Sequence, residues 1–462
     1  MSNAHSRVMQ TGLNATLNGE LYAFTNGIAV DRHLAEQEIK VQLAWAEGLQ
    51  SIGYLKADEV AKIEATLKEA GTLIATDKFE WREEDEDIHM NLERFCTDKL
   101  GVVGKKMHFG RSRNDLIATT LRLFVYDKLA GIKEKTKGLL AAHIKQASAT
   151  VDIIIPGMTH AQNAQPMRLA QLFLTYAQEL KRDISRIEGA QARAMEYMPM
   201  GSAACTGTPL NIDLTVVAKK LGFGSGPLNS YDGVSDRDFM LEALQTVALE
   251  AVHLSRFCED MIYESSNTVG LLKLSKAWST GSSIMPNKRN PDVPELTRAK
   301  MSRVIGAANE GLNLVRPVMH SYGTDLHELK WTLMTSFDEI SSCLEVLPPF
   351  VEGLTVDAAR AKEMLGSGNL LATEIADALT GTGMAFRDAY KVVGAMVAKA
   401  QEVGKQVQEL SKEDLAAAKI ELPASINLGA ISYESAVERR SNLGGTAKAQ
   451  VLAQIKSFEG LA

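Results

Sequence analysis

Residues 281–295 read GSSIMPNKRNPDVPE and gather more reactive groups than a plain connector needs. Ser282 and Ser283 follow Gly281, and Pro286, Lys288, Asn290, Pro291, Pro294 and Glu295 come after them. A hydroxyl pair, a cation, an amide and a carboxylate supply a base, an anion-stabilising charge and hydrogen-bond donors. Those parts suit proton abstraction next to a carboxylate. The negative charge would spread into that carboxylate as an enediolate-like species held by Lys288 and backbone N–H groups. The plain alternative is a polar loop joining two helices.

Four other polar clusters interrupt helical sequence. HFGRSRND, residues 108–115, offers Arg111, Arg113 and Asn114 at a helix entrance. Guanidinium groups and free helix N–H groups together make an anion pocket, although capping by Ser112 or Asn114 explains part of the string. GMTHAQNAQ, residues 157–165, places Thr159 and Gln162 as hydrogen-bonding groups and His160 as a proton-transfer candidate at another helix entrance. NSYDGVSDRDF, residues 229–239, is covered largely by capping from Ser235 or Asp236. YGTDLHELK, residues 322–330, sets Tyr322, His327 and Lys330 either on a cleft or in a solvated turn.

Other motifs fail on context. The glycines of 222–226 follow no strand and precede Pro227, so they read as a loop and not a dinucleotide site. Gly104-Lys105 lacks phosphate-loop spacing. His89 and Glu93, four apart, read as a salt bridge without a third metal ligand. No nucleophile elbow accompanies the serines.

The elements that must position these groups are helical almost throughout. Asp31 reads as the cap of a helix through Leu34, Ile39, Leu43 and Leu49, ended by Gly53, and a second helix runs from about Lys56 to Gly71. The acidic run Glu83 to Asp87 reads as a helix start. Three runs follow without internal proline: 114–150, 167–197 and 236–266. Each spans roughly 45 Å if continuous helix. Two more, Glu295 to Val315 and Glu328 to Leu347, complete a bundle. The stripe Leu241, Leu244, Val247, Ala251, Leu254 and Cys258 is bundle core. Strand signals are nearly absent, the longest being Val151 to Ile155. Pro348-Pro349 reads as a boundary before shorter, glycine-richer helices. The expected class is all-α, with a helical domain over 1–110, a central bundle over 111–350 carrying the 281–295 loop, and a small helical domain over 351–462.

The 462 residues carry a net charge of −7, which argues against a nucleic-acid surface but leaves room for an anionic substrate. Cys96, Cys205, Cys258 and Cys343 are scattered, so neither a disulfide framework nor a zinc site is expected. No stretch reads as a membrane span, no signal-peptide core opens the chain, and the expected location is the cytoplasm.

GSSIMPNKRNP closely resembles the signature loop of the fumarase/aspartase superfamily. HFGRSRNDLIATTLRL, GMTHAQNAQP, GSAACTGTPLNID, GVSDRDFMLE, LLATEIADAL, FRDAYKVVG and SAVERRSNLGGTA are similar to the argininosuccinate lyase branch. The resemblance runs from about residue 20 to near the end. It implies an all-α, three-domain subunit in a homotetramer whose active sites are each shared among three subunits. It implies reversible anti elimination of argininosuccinate to arginine and fumarate, with no metal and no organic cofactor. By position, Ser282 would be the base, its alkoxide stabilised by Lys288 and loop N–H groups. Lys288 and Asn290 would hold the carboxylate. His160, polarised by Glu295, would be the general acid or position it. Arg113, Asn114 and Thr159 would bind the fumarate half. Tyr322 and Lys330 match positions that hold the arginine half, and His327 joins them as a binding candidate.

The sequence departs from the branch in several places. Gly27 stands where a serine is usual, His327 where glutamine is, and Gly323 where asparagine is. Ala161 and Asn163 replace a leucine and an arginine. TGLNATLNG, residues 11–19, lacks the usual Gly-Gly-Arg-Phe. Two other readings stand beside the lyase: a related C–N lyase releasing fumarate from another N-substituted aspartate, and a non-catalytic structural role like that of lens crystallins.

Overall fold

The computed structural model describes residues 19–461; the departure over residues 11–18 and the chain start lie outside them. Five long helices dominate: Arg113–Ala149, Leu169–Ala194, Asp238–Ser265, Asp292–Val315 and Glu328–Glu352. Their sequences explain them. On the second, Leu169, Phe173, Ala177, Leu180, Ile184 and Ile187 recur every three or four residues, and all are buried.

The chain forms two compact units. One takes residues up to Lys133 with Ser185–Leu249 and Ser302–Ser341; the other takes Glu134–Ile184, Glu250–Met301 and the residues from Ser342 onward. Each boundary falls inside a long helix. The first unit is built on the helices Ala35–Ser51, Ala57–Ala75 and Ile88–Leu100. Trp45, Leu49, Ile63, Leu67, Ile88, Leu92 and Cys96 form its core. Trp45 Nε1 donates to the Phe109 carbonyl at 3.0 Å, tying the core to the entrance of the first long helix. In the second unit Ile375, Leu379, Val393, Met396 and Val407 centre a satellite core of short helices.

Asp31 does not cap its helix. Its carboxylate is buried and pairs with Lys330 Nζ, and a 3₁₀ turn, Arg32–Leu34, leads into the helix instead. Asp87 does cap, accepting from Met90 N at 2.9 Å. The helix that begins at Ala57 continues to Ala75, past Gly71. His89 pairs with Glu38 at 2.8 Å and not with Glu93, which meets His108 at 2.9 Å.

A β-hairpin extends well past the one strand signal of the sequence, Val151 to Ile155. Ile154–Thr159 pairs antiparallel with Gln162–Arg168. Its two-residue tip, His160-Ala161, has φ of 55° and 56°, the conformation hairpin turns require. The sequence concealed it because the tip carries neither glycine nor asparagine and Pro156 faces Pro166 across the ladder. Arg168, buried at the hairpin's end, donates to Glu434 and Glu438 at 2.5 and 2.6 Å and to the Val151 carbonyl at 3.0 Å.

Pro348 and Pro349 do not end the fifth helix, which runs to Glu352. Two prolines remove N–H donors and free carbonyls one turn back. The turn holds because Leu347, Phe350 and Val351 are buried and because Gln146 Nε2 donates to the Val351 and Leu354 carbonyls at 2.7 and 3.1 Å.

The second unit also buries Glu250. Its Oε1 accepts from Thr136 Oγ1 at 2.7 Å, and Oε2 has no hydrogen-bond partner among the described residues. Burial first, then the neighbouring Asp183 charge, pushes this carboxyl up to about 8. The unfolded chain releases that proton near pH ~4.3. The folded state therefore binds the extra proton in between. The stabilising contribution is full below the unfolded value and is lost as pH rises through about 8. Glu250→Gln keeps the shape without the titration. We expect it to melt above the wild type at about pH 9 and to flatten the decline in melting temperature from about pH 5 upward. Thermal unfolding across that range tests this, and parallel profiles for the two proteins would rule it out.

Candidate active site

The predicted site residues fall into two groups, one in each unit. In the second unit, Thr280–Gly281 pairs with Arg289–Asn290, closing the loop 282–288. Asp292 holds the base of this ladder, accepting from Thr280 N at 3.0 Å and Thr280 Oγ1 at 2.6 Å. The loop is shorter than expected. The fourth long helix starts at Asp292, with Pro294 and Glu295 in its first turn, where a proline's missing donor costs nothing. Ser282 is half-buried, and its Oγ accepts from the backbone N–H groups of Ile284 and Met285 at 3.3 and 3.1 Å. Lys288 is exposed, and Asn290 Nδ2 reaches Thr280 Oγ1 at 3.5 Å.

Thr159 and His160 stand exposed at the hairpin tip, not at a helix entrance. His160 and Glu295 are both exposed and share no hydrogen bond within the chain. His160 and Ala161 both stand at positive φ, a conformation that costs energy in non-glycine residues.

The first unit collects Arg113, Asn114, Tyr322, His327 and Lys330. Arg113 Nη1 lies 2.5 Å from Asp87 Oδ2 and 3.7 Å from Glu86. Burial acts to raise the Asp87 carboxyl, but the charges of His89 and Arg113 outweigh it and hold it below the usual range. Asn114 Nδ2 donates to the Ala204 carbonyl at 3.2 Å. Tyr322 and His327 meet edge to face with ring centres 6.1 Å apart. Burial pushes the Tyr322 hydroxyl up to about 12. Burial, with the Lys330 charge, pushes the His327 imidazole down to about 4, so it is neutral at physiological pH. Lys330 is buried against Asp31 and is not part of a solvated turn.

One correction concerns the arginine-rich string at 108–115. Arg111 does not line an anion pocket: it is buried and donates to Gln42 Oε1 at 2.5 Å. Ser112 does take part in capping, its Oγ accepting from Asn114 N at 3.3 Å while Ser112 N donates to Asp115 at 2.9 Å. In the 229–239 string, Asn229 caps the short helix Ser230–Ser235, and Asp236 accepts from Asp238 N at 2.8 Å.

Sequence reasoning missed Asp31 and Asp87 as members of this cluster. Behind them, Glu38 pairs with His89 and accepts from Thr120 and Gln42 at 2.8 and 2.7 Å. The signal available for Asp87 was the acidic run; for Asp31 there was none, since its partner lies 299 residues away.

A family model described as Lyase matches residues 20–306, and one described as Argininosuccinate lyase C-terminal matches 369–438. The argininosuccinate lyase of Nitratidesulfovibrio vulgaris is 40% identical over 436 residues, 94% of each chain. The chain belongs to the argininosuccinate lyase family. A second argininosuccinate lyase, from Neisseria meningitidis serogroup C, is 37% identical over 454 residues, 98% of this chain and 99% of that one. Two solved structures share the fold. A crystal structure of EDDS lyase in complex with formate superposes with a TM-score of 0.83 at 23% identity, covering 93% of this chain and 86% of that one. A class II fumarase from Schistosoma mansoni gives 0.73 at 15% identity, covering 85% and 88%. The fold is that of the fumarase/aspartase lyases.

Proposed function

We infer that this protein cleaves argininosuccinate to L-arginine and fumarate by reversible anti elimination. The observation that carries the catalytic assignment is the Ser282 hydroxyl, whose oxygen receives two backbone N–H groups on the loop that also holds Lys288. A serine is a weak base until its alkoxide is stabilised. Fixed N–H dipoles and a nearby cation do that without reorganising during the reaction.

In this reading Ser282 removes the Cβ proton of the substrate. Lys288 and Asn290 hold the carboxylate into which the carbanion charge spreads. His160, completed by Glu295, serves the departing nitrogen as general acid or positions the group that does. Arg113, Asn114 and Thr159 bind the fumarate half; Tyr322, His327 and Lys330 bind the amine half. Asp87 and Asp31 act as fixed counter-charges for Arg113 and Lys330. No metal or organic cofactor takes part.

The assembly in this reading is a homotetramer with active sites completed by several subunits. Support comes from His160 and Glu295, which share no hydrogen bond within one chain, and from the exposed apolar residues Leu296, Leu312 and Trp331 on the long helices. The subunit divides into domains over 1–110, 111–350 and 351–462. The proposed location is the cytoplasm; among the described residues no helix is long and apolar enough to cross a membrane.

The test is fumarate absorbance after mixing purified protein with argininosuccinate, beside aspartate and adenylosuccinate. Release from argininosuccinate alone is expected. Release only from another N-substituted aspartate would replace the assigned amine, and no release from any of them would overturn the reading.

A further inference from the structure

The hairpin tip that carries His160 is held from the side by a second turn of the same unit. Thr159 and Gln162 close the tip, and Asn163 faces Met158 one pair behind them. Just below, a register shift between Gly157 and Met158 breaks the ladder, so the tip is not aligned by a continuous stem. The hold comes from residues 366–369, between the helices Ala358–Leu365 and Ala372–Gly381. Asn163 Nδ2 donates to Ser367 Oγ at 3.0 Å. A Cβ added to Gly368 would lie 3.0 Å from Asn163 Cβ, closer than side chains normally approach. Asn163 is also one of the residues by which the sequence departs from its branch.

That turn is itself firmly braced. Gly368 and Asn369 stand at positive φ, 86° and 51°. Gln406 grips the turn twice, Nε2 donating to the Gly366 carbonyl at 2.6 Å and Oε1 accepting from Asn369 N at 3.1 Å. Asn369 Oδ1 accepts from Val407 N at 2.8 Å, and Val407 is fully buried in the satellite core. Tyr433 donates to the Leu365 carbonyl at 2.6 Å. Yet Ser367 and Gly368 are exposed, so their contact with the hairpin removes little apolar surface from water. What the contact supplies is placement. The His160 side chain is exposed as well, and its position follows the hairpin backbone.

We propose that the turn 366–369 places His160 for proton transfer, with Asn163, Ser367 and Gly368 as positioning residues that act through the hairpin tip. This rests on the fumarate-releasing function inferred above and adds the residues that set the reach of its histidine. A proton-transfer group must come within about 2.6–3.2 Å of its target, and a shift of about 1 Å can cost 10²-fold in rate.

The experiment measures kcat and KM for argininosuccinate in wild type, Ser367→Ala, Ser367→Thr, Gly368→Ala and Gly383→Ala, each also in a His160→Ala background, with melting curves as a folding check. Ser367→Ala should lower kcat about 2–10-fold, the worth of one neutral hydrogen bond, and Ser367→Thr, which keeps the hydroxyl, should recover it. Gly368→Ala presses on Asn163 Cβ, an atom fixed to the hairpin backbone, and should lower kcat by about 10²-fold. Gly383 has φ of 99° with no atom within 4 Å of an added Cβ, so Gly383→Ala carries similar backbone strain without touching the hairpin. Its kcat should stay within about twofold of wild type. Thr159 rides on the same tip, so KM should rise with the Gly368 change. In the His160→Ala background that rise should persist while the kcat losses vanish, because residues acting through one group are not additive with its removal.

Full kcat in Ser367→Ala, losses that persist undiminished without His160, or an equal loss in Gly383→Ala each overturn the proposal and leave the proposed function intact. If Gly368→Ala does not fold, the Ser367 pair decides. Where wild type acts on another N-substituted aspartate, the same constants are read on that substrate. Release of fumarate from none of them overturns the proposed function and this proposal with it.

Discussion

Ser282→Ala is expected to lower kcat by about 10²–10⁴-fold, the usual worth of a positioned general base. KM for argininosuccinate should change little, because in the proposed reaction the hydroxyl acts on the proton in flight and not on substrate binding. Loss of kcat and kcat/KM in equal measure is the mark of an interaction made only in the transition state. The folded state should barely notice. Ser282 lies on a loop whose neighbours Ile284 and Met285 are 82% and 44% exposed, and its hydroxyl only accepts two local N–H bonds. Those donors turn to water in the variant, so the melting temperature should stay close to wild type. Fumarate absorbance and thermal unfolding check both halves. A variant that keeps a tenth or more of wild-type kcat would mean that the base is elsewhere.

The second large effect is on stability. Asp31 and Lys330 form an ion pair whose side chains are 1% and 3% exposed. Removing one partner strands the other charge away from water. Asp31→Asn and Lys330→Met should each therefore cost about 3–5 kcal/mol. The double variant leaves no stranded charge, and it should be considerably more stable than the sum of the two singles. Denaturant unfolding of the four proteins closes the cycle. Additive losses would show that the pair is not coupled.

Much of the fold was legible because helices announce themselves locally. Long runs free of proline, with apolar residues every third or fourth position, gave the five long helices to within a few residues at most ends. The candidate loop was legible because Ser282, Lys288, Asn290 and Glu295 are close in sequence. Two features ran against local signals. Pro348 and Pro349 read as a break, yet Gln146, some two hundred positions earlier, completes the last turn of that helix. His160 read as a residue at a helix entrance, yet it tips a hairpin whose turn lacks the usual glycine or asparagine. The charged cluster was the least legible part. Asp31, Asp87, Arg113 and Lys330 meet only after folding, and an aspartate before a helix looks like a cap whether or not it serves as one.

The interleaving of the two units has a consequence for how the chain comes off the ribosome. Each unit is made of three separate stretches, and the first is complete only when residue 341 has emerged. The Gln146 clamp waits for residues 351–354, and the bonds from Arg168 wait for Glu434 and Glu438. Contacts of such sequence separation form slowly and leave apolar helix faces open meanwhile. A nascent chain that stops before residue 341 therefore has no finished unit to shelter in, and its open apolar faces are exposed to aggregation until then.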